Sequence, residues 1–308
     1  MKPRMKLVVI ALLGLWVLLF AGCNQGAPSP GGGGGGGGGG NATAQDVGKV
    51  LTAANEQLYR VESPLSLAGL PVPVLGLTPF SVGLIPQDTA SWSCTDVTVT
   101  GDARDPDGDG IPANATYNGK CTWSYSGSGG SASGYWEYRN VNVQDPNNAD
   151  PKAGVKVKGE IDWGVTSDTG HYTSTWRIDR HDLVRSGESY SFTYQGLWTV
   201  TIENVGTYTT DYNLKGTWAP DDRERPWYAG TMNATGSFSG TGPNCTNGWR
   251  ANVTLKNVHY NGTKIDGGTA TFSGTDCNGN SGSLTIEWSS SQVCIKIPEL
   301  QEPICKDN

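Results

Sequence analysis

Residues 188–204, ESYSFTYQGLWTVTIEN, alternate apolar and polar side chains along the whole segment, with Leu197 the one exception. A period of two held this long is typical of a β-strand that is buried on one face and solvated on the other, because a helix would mix the two sets. The segment therefore predicts a long amphipathic strand. Its apolar face comprises Tyr190, Phe192, Tyr194, Gly196, Trp198, Val200 and Ile202.

The same alternation recurs from Ser93 to the end of the chain, between segments that have turn composition. Asn-Gly pairs at 261–262 and 278–279 and turn-rich stretches such as 145–151 separate the alternating segments, as expected of hairpins. About 11 or 12 strands can be counted. Long sequential hairpins with one apolar face predict an all-β domain, either an up-and-down antiparallel barrel or a strongly curled, incomplete barrel.

One helix is predicted, in the region that precedes the strands. Within residues 41–63 apolar side chains recur at spacings of three and four, and Pro64 ends the pattern. Residues 65–85 are uncharged and rich in Leu, Pro and Val, so their apolar surface must be covered. We expect this segment, the helix or a ligand to fill the interior of the sheet.

Residues 1–22 have the composition of a secretory signal. Basic residues within the first six positions precede an apolar run over residues 7–20, which is shorter than the ~20 residues that a membrane span needs. The run leads into the sequence FAGC at 20–23, which resembles the lipobox of bacterial lipoproteins, with Phe20 in place of the usual aliphatic residue. The resemblance implies that Cys23 carries the lipid and becomes the first mature residue.

Residues 23–40 are predicted to be a flexible tether, since they end in ten consecutive glycines. Lipoprotein resemblance implies a location in the bacterial cell envelope, attached to a membrane by the lipid and facing the periplasm or the exterior. Asn24, after the anchor, is compatible with the outer membrane. Loss of three basic residues with the signal changes the net charge from −7 to −10, which argues against nucleic acid as a partner. The predicted organisation is signal 1–22, tether 23–40, helix and apolar segment 41–92, and β domain 93–308.

Six cysteines remain besides Cys23, and six allow fifteen pairings. An even number of cysteines in an exported chain favours disulfides over a metal site. Two pairs of cysteines are placed symmetrically about predicted hairpin turns, and a third pair flanks the 298–303 loop. We therefore expect the two cysteines of each pair to lie at disulfide distance. The predicted disulfides are Cys94–Cys121, Cys245–Cys277 and Cys294–Cys305.

An acidic turn is the clearest candidate binding site in the sequence. Residues 102–112 read DARDPDGDGIP, in which Asp105, Asp107 and Asp109 alternate ahead of Gly110. Alternate carboxylates converge on one point, and the glycine permits the sharp bend that lets a backbone carbonyl join them. Oxygen ligands of this kind suit calcium.

The D-x-D-x-D-G-I pattern is similar to the first half of the calcium loops of EF-hands, dockerins and thrombospondin type 3 repeats. It also resembles a D-x-D-x-D-G-I-P hairpin found in bacterial lipoproteins. These resemblances imply that the carbonyl of Ile111 is a ligand. Thr116 stands where an EF-hand has its bidentate glutamate, so we expect a weak calcium site whose remaining oxygens come from Asp102, another loop or water.

No catalytic motif is apparent, and we expect a protein that is not an enzyme and has no catalytic residues. Glu137, Glu160 and Glu188 are the carboxylates considered for a glycosidase pair, and exposed strand carboxylates are usually only solvated. The five tryptophans on apolar strand faces indicate core or cavity lining more than a glycan platform. They are Trp163, Trp198, Trp218, Trp249 and Trp288.

These observations favour a lipid-anchored envelope protein whose calcium-braced, disulfide-linked β domain has a structural role or binds an envelope protein or an apolar ligand. Two alternatives remain open. A lipid or lipoprotein carrier would use an apolar cavity inside the curled sheet, by analogy of fold alone. A glycan-binding module or a hydrolase would use the outer face of the strands.

Overall fold

A computed structural model describes Val50 and residues 91–127, 130–167, 170–226 and 228–308. In this part of the chain, 13 β-strands form one antiparallel sheet in which every strand pairs with the next strand along the sequence. The sheet does not close, so β1 and β13 are its two edges. The strands are β1 (Ser91–Asp102), β2 (Asn114–Gly127), β3 (Gly130–Gln144), β4 (Gly154–Ser167), β5 (Gly170–Ser186), β6 (Ser189–Ile202), β7 (Gly206–Pro220), β8 (Gly230–Gly242), β9 (Cys245–Tyr260), β10 (Ile265–Thr275), β11 (Ser281–Trp288), β12 (Gln292–Lys296) and β13 (Ile304–Asp307).

The all-β prediction is confirmed, in its incomplete rather than closed form. The count exceeds the predicted 11 or 12 because β12 and β13, of five and four residues, are too short to show alternation. The predicted helix and the 65–85 segment lie outside the described residues, apart from Val50, which is half-buried and packs against the core. No helix in the described ranges is long and apolar enough to cross a membrane.

Strand β6 has the faces that its alternation predicts. Tyr190, Phe192, Tyr194 and Val200 are buried, while the serines and threonines between them are half-buried or exposed. Neighbouring strands present their apolar faces to the same side, and the buried residues from β2 to β10 form a single hydrophobic cluster. The core therefore lies on one face of the sheet, which is the inside of its curl.

Glycines on the inner face make room for aromatic rings from neighbouring strands. A Cβ at Gly196 would lie 2.6 Å from the hydroxyl of Tyr212, its register partner on β7. A Cβ at Gly216 would lie 2.5 Å from the ring of Phe192. Large rings can pack in this face only because the strand beside them carries no side chain there. The same arrangement joins Gly134 to Trp123, Gly230 to Trp218 and Gly240 to Trp249.

Two of the predicted disulfides are formed. Cys245 at the start of β9 is bonded to Cys277 in the β10–β11 turn, with Cα atoms 4.9 Å apart. Cys294 on β12 is bonded to Cys305 on β13, with Cα atoms 4.1 Å apart. Cys121 is also disulfide-bonded, and the β1–β2 register sets its backbone opposite that of Cys94. The side chain of Cys94 lies outside the described part of the structure.

The two described bridges differ in the length of chain that they close, which predicts different effects on stability. Replacing both cysteines of the Cys245–Cys277 bridge, 32 residues apart, should cost about 3–4 kcal/mol of unfolding free energy. Replacing those of Cys294–Cys305, 11 residues apart, should cost about 2–3 kcal/mol because a shorter loop gains less entropy on opening. Urea denaturation of the two double-serine variants measures both values. A larger loss for the shorter loop would contradict the prediction.

Candidate metal centre

The loop between β1 and β2 carries the three predicted aspartates. Its base is closed by a hydrogen bond of 2.8 Å from the backbone N–H of Ala113 to the carbonyl of Arg104. Within the loop, one carboxylate oxygen from each of Asp105, Asp107 and Asp109 lies within 4.8 Å of the other two. Asp105 is exposed and the other two are half-buried. The loop therefore brings together the three side chains that the sequence pattern predicts as ligands.

Backbone N–H groups donate to all three carboxylates, and the N–H of Asp109 makes the longest of these contacts, 3.4 Å to Oδ1 of Asp107. The N–H groups of Gly108 and Gly110 donate to the two oxygens of Asp105, at 2.8 and 2.9 Å. The N–H of Ile111 donates to Oδ1 of Asp109 at 2.7 Å. Gly110 has a φ of 89°, a conformation that residues with a side chain rarely adopt, so the bend depends on glycine.

Asp107 is the electrostatically strained member of the group. Burial raises the pKa of its carboxyl group, and repulsion from Asp105 raises it further. Its Oδ2 is buried and has no hydrogen-bond partner among the described residues. A desolvated carboxylate oxygen beside a second negative charge is unfavourable unless a cation lies between them.

A fourth carboxylate approaches this loop from the connection between β3 and β4. The backbone N–H of Asp145 donates to the carbonyl of Pro112 at 2.9 Å. The residue is 2% exposed, its Oδ1 accepts from the N–H of Asn147 at 2.8 Å, and its Oδ2 has no partner in the described part of the chain. Burial raises the pKa of Asp145, followed by repulsion from Asp107 and Asp105.

Asp145 is not predictable as a ligand from the sequence, where it is only the first residue of the turn-rich stretch 145–151. An isolated aspartate ahead of a proline has ordinary turn composition. The one available signal was the general expectation of sequential hairpins, in which the end of one strand lies beside the start of the strand before it. Without the register, that signal does not single out one residue.

The remaining predicted ligands have different positions. Asp102 forms two hydrogen bonds to the guanidinium of Arg104, at 2.8 and 2.5 Å, which hold the pKa of its carboxyl group at about 2. It is not among the three grouped carboxylates. Ile111 is fully buried, directly after the acidic residues. Thr116 lies within β2, where its hydroxyl accepts from Nδ2 of Asn142 at 3.0 Å. Cys23, the predicted lipid attachment site, lies outside the described residues.

The three glutamates that could form a glycosidase pair are all held in ion pairs, two of them on strands β3 and β4 and the third in the β5–β6 turn. Glu137 pairs with Arg139 at 3.0 Å, and this contact lowers the pKa of its carboxyl group. Glu160 pairs with Arg139 at 2.8 Å, and Glu188 pairs with Arg223. A carboxylate held in this way is a poor proton donor, so the arrangement does not favour a general acid.

A groove of about 540 Å³ with a mixed polar and aromatic lining lies beside the tips of the β2–β3 and β4–β5 hairpins. The ammonium of Lys120 lies 4.5 Å from the ring centroid of Tyr135 within it. Nδ1 of His171 forms a hydrogen bond of 2.8 Å with the hydroxyl of Thr166. Two of the polar side chains that line the groove, Lys120 and His171, are therefore already in contact with neighbouring side chains.

The inner face of the sheet carries buried hydrogen-bond donors that lack an acceptor among the described residues. The indole N–H groups of Trp136, Trp163 and Trp176 are buried without an acceptor in the described ranges. Trp136 and Trp163 are register partners on β3 and β4, and their rings stack with centroids 5.5 Å apart. Buried indole N–H groups normally find an acceptor, so these donors make the inner face a second place where a ligand group would gain hydrogen bonds.

Comparison with protein-family models, curated proteins and solved structures finds no match to this chain. Function is therefore inferred from the chemistry of its own residues.

Proposed function

We propose that this protein is a lipid-anchored, non-enzymatic component of the bacterial cell envelope, whose β domain binds calcium in the β1–β2 loop and has a structural or partner-binding role. The observation that carries the proposal is the group formed by Asp105, Asp107 and Asp109. Their carboxylates lie within 4.8 Å of one another, and one oxygen of Asp107 is buried without a hydrogen-bond partner among the described residues. The FAGC sequence at 20–23 supports the lipid anchor.

Calcium fits this loop better than a transition metal or magnesium. The donors are carboxylate oxygens, with neither imidazole nor thiolate in the group, and hard cations prefer such ligands. Magnesium demands a near-ideal octahedron, whereas calcium accepts six to eight oxygens in flexible geometry. A loop without the bidentate glutamate of EF-hands should resemble weak extracellular sites, with a Kd of about 10⁻⁴–10⁻³ M.

Calcium should raise the melting temperature of the purified protein, because a cation that binds only the folded state stabilises it. At ten to a hundred times Kd, the gain is about 1.4–2.7 kcal/mol. Asp107→Asn should remove most of this gain, and magnesium should produce less of it. Asp102→Asn is the matched control and should keep the gain, since Arg104 already holds that carboxylate. Scanning calorimetry with and without calcium measures each shift, and equal calcium-induced shifts in wild type and Asp107→Asn would refute the site.

The anchor gives a separate expected result. Metabolic labelling with a palmitate analogue should tag the wild-type protein, and Cys23→Ala should abolish the label because the thioether forms on that sulfur. The double variant Cys294→Ala/Cys305→Ala should remain labelled, since those sulfurs are bonded to each other. In-gel detection of the analogue reports all three proteins. Labelling that survives Cys23→Ala would remove the lipid anchor from the proposed function.

A second candidate is a carrier of a small apolar molecule that has a polar end. It is favoured by the three buried indole N–H groups of Trp136, Trp163 and Trp176, which an acceptor on a ligand would satisfy. Mass spectrometry of molecules extracted from the purified Cys23→Ala protein tests this candidate without interference from the anchor. A stoichiometric lipid would support the carrier, and no copurifying molecule would favour the structural role.

A further inference from the structure

We propose that Asp145 supplies a fourth carboxylate to the ion site, so that one bound cation joins the β1–β2 loop to the β3–β4 loop. The inference rests on the proposed calcium site and extends it from one loop to two. It assigns to the ion a structural task, which is to tie together two hairpin connections at the same end of the sheet.

The strand register brings Asp145 to the loop. On the β2–β3 ladder, Ala115 is paired with Val143, so the two strands run out side by side at this end. Beyond the paired ends of the two strands, the backbone N–H of Asp145 donates to the carbonyl of Pro112 at 2.9 Å. Pro112 follows the acidic residues by three positions, and Ile111 between them is fully buried. The backbone of residue 145 is thus fastened to the segment that carries the aspartates.

The burial of the Asp145 carboxylate favours a cation as its partner. Asp145 is 2% exposed, and its Oδ2 has no hydrogen-bond partner in the described part of the structure. Oδ2 of Asp107 is likewise buried and has no hydrogen-bond partner among the described residues. Asp145 lies near enough to Asp107 and Asp105 to be repelled by both, although it is not among the three carboxylates that lie within 4.8 Å of one another. Buried charges persist when they are paired with a cation or coordinate a metal.

Three cationic side chains of the described residues near these loops are each paired with another carboxylate. Arg104 is bound to Asp102. Arg185, at the end of β5, pairs with Asp150 at 3.1 Å. Lys152, in the same loop as Asp145, pairs with Glu224, also at 3.1 Å.

Asp145 also accounts for the departure from the EF-hand pattern. Calcium loops of that type close with an acidic residue at the twelfth position, where this chain has Thr116, the third residue of β2. A carboxylate from the neighbouring connection restores the fourth negative charge from a different part of the chain. Three aspartates of one loop and one of the next then surround the ion.

The test is calcium titration of the purified full-length protein by isothermal calorimetry. Asp145→Asn keeps an oxygen to accept from Asn147 and removes only the charge, and it should weaken calcium binding at least tenfold. Asp150→Asn removes the same charge from the same loop and should change Kd less than twofold, because Arg185 holds that carboxylate. Asp107→Asn should abolish binding. In the absence of calcium, Asp145→Asn should melt no lower than wild type, since repulsion between the loops is reduced.

The outcomes separate the two proposals. If wild type binds calcium, Asp107→Asn does not, and Asp145→Asn binds like wild type, the site in the β1–β2 loop stands and the assignment of Asp145 is overturned. A lower melting temperature of Asp145→Asn without calcium, together with unchanged affinity, also overturns it, since the residue then has only a folding role. If wild type fails to bind calcium, both proposals fail.

Discussion

Trp218→Ala is expected to lower the free energy of unfolding by about 3–5 kcal/mol, the range seen when a large buried aromatic is removed from a core. Trp218 on β7 is 0% exposed. Its indole N–H donates to the carbonyl of Pro226 at 2.7 Å, which fastens the β7–β8 connection to the core. Its ring fills the space left by Gly230 on β8. The substitution therefore opens a cavity and removes a buried hydrogen bond together.

Urea denaturation followed by circular dichroism measures this loss of stability. One further variant separates the hydrogen bond from the packing of the ring, and another is a surface control. Trp218→Phe keeps most of the ring volume but leaves the carbonyl of Pro226 unsatisfied, so it should cost about 1–3 kcal/mol. Val205→Ala shortens an exposed residue in the β6–β7 turn, 50% accessible, and should change stability by less than about 0.5 kcal/mol. A loss below about 1 kcal/mol for Trp218→Ala would mean that the core face has been misassigned.

Acidification is expected to destabilise the fold through His181. This residue on β5 is fully buried, and burial lowers the pKa of its imidazole to about 3. Its Nε2 forms a hydrogen bond of 2.8 Å with the hydroxyl of Tyr212, and its Nδ1 has no partner in the part of the chain described. The unfolded chain would protonate the same ring near pH 6.5. A charged imidazole at this position would face the aromatic rings of the core.

The direction of the pH dependence follows from proton uptake. Between pH 6.5 and about 3 the unfolded state binds a proton at His181 and the folded state does not. The contribution of this histidine to stability is complete above pH 6.5 and is lost as the pH falls, by about 1.4 kcal/mol per pH unit. At pH 4 the cumulative loss is about 3 kcal/mol.

Urea denaturation between pH 4 and pH 7 measures the slope. In the double variant His181→Phe/Tyr212→Phe, both hydrogen-bonding partners are replaced together, so no hydroxyl is left unpaired. That variant should lose stability less steeply with acid than wild type, and the difference isolates the histidine from the surface carboxylates that also titrate. Identical slopes would show that His181 is not buried as a neutral group.

Much of the candidate site was predictable, because its ligands are neighbours in sequence. Asp105, Asp107 and Asp109 converge because they alternate ahead of Gly110 in one turn, which needs no information about the rest of the chain. Asp102 was predicted as a further ligand, but it forms an ion pair with Arg104, two residues away. A position in the calcium-loop pattern predicts a ligand, but the pattern does not take account of a nearby cation that binds the same carboxylate.

Features that depend on neighbouring residues were predictable from the amino-acid sequence: the two-residue period that sets the faces of β6, the turn composition that ends each hairpin, and the symmetry that pairs Cys245 with Cys277. The contacts between separate strands were not. Tyr212 crosses over Gly196 on β6 to reach His181 on β5, and Asp145 reaches the β1–β2 loop through the register of β2 and β3. Alternation is a property of one backbone. Which side chains meet across the sheet depends on register and curl, and these are set by the packing of all the strands together.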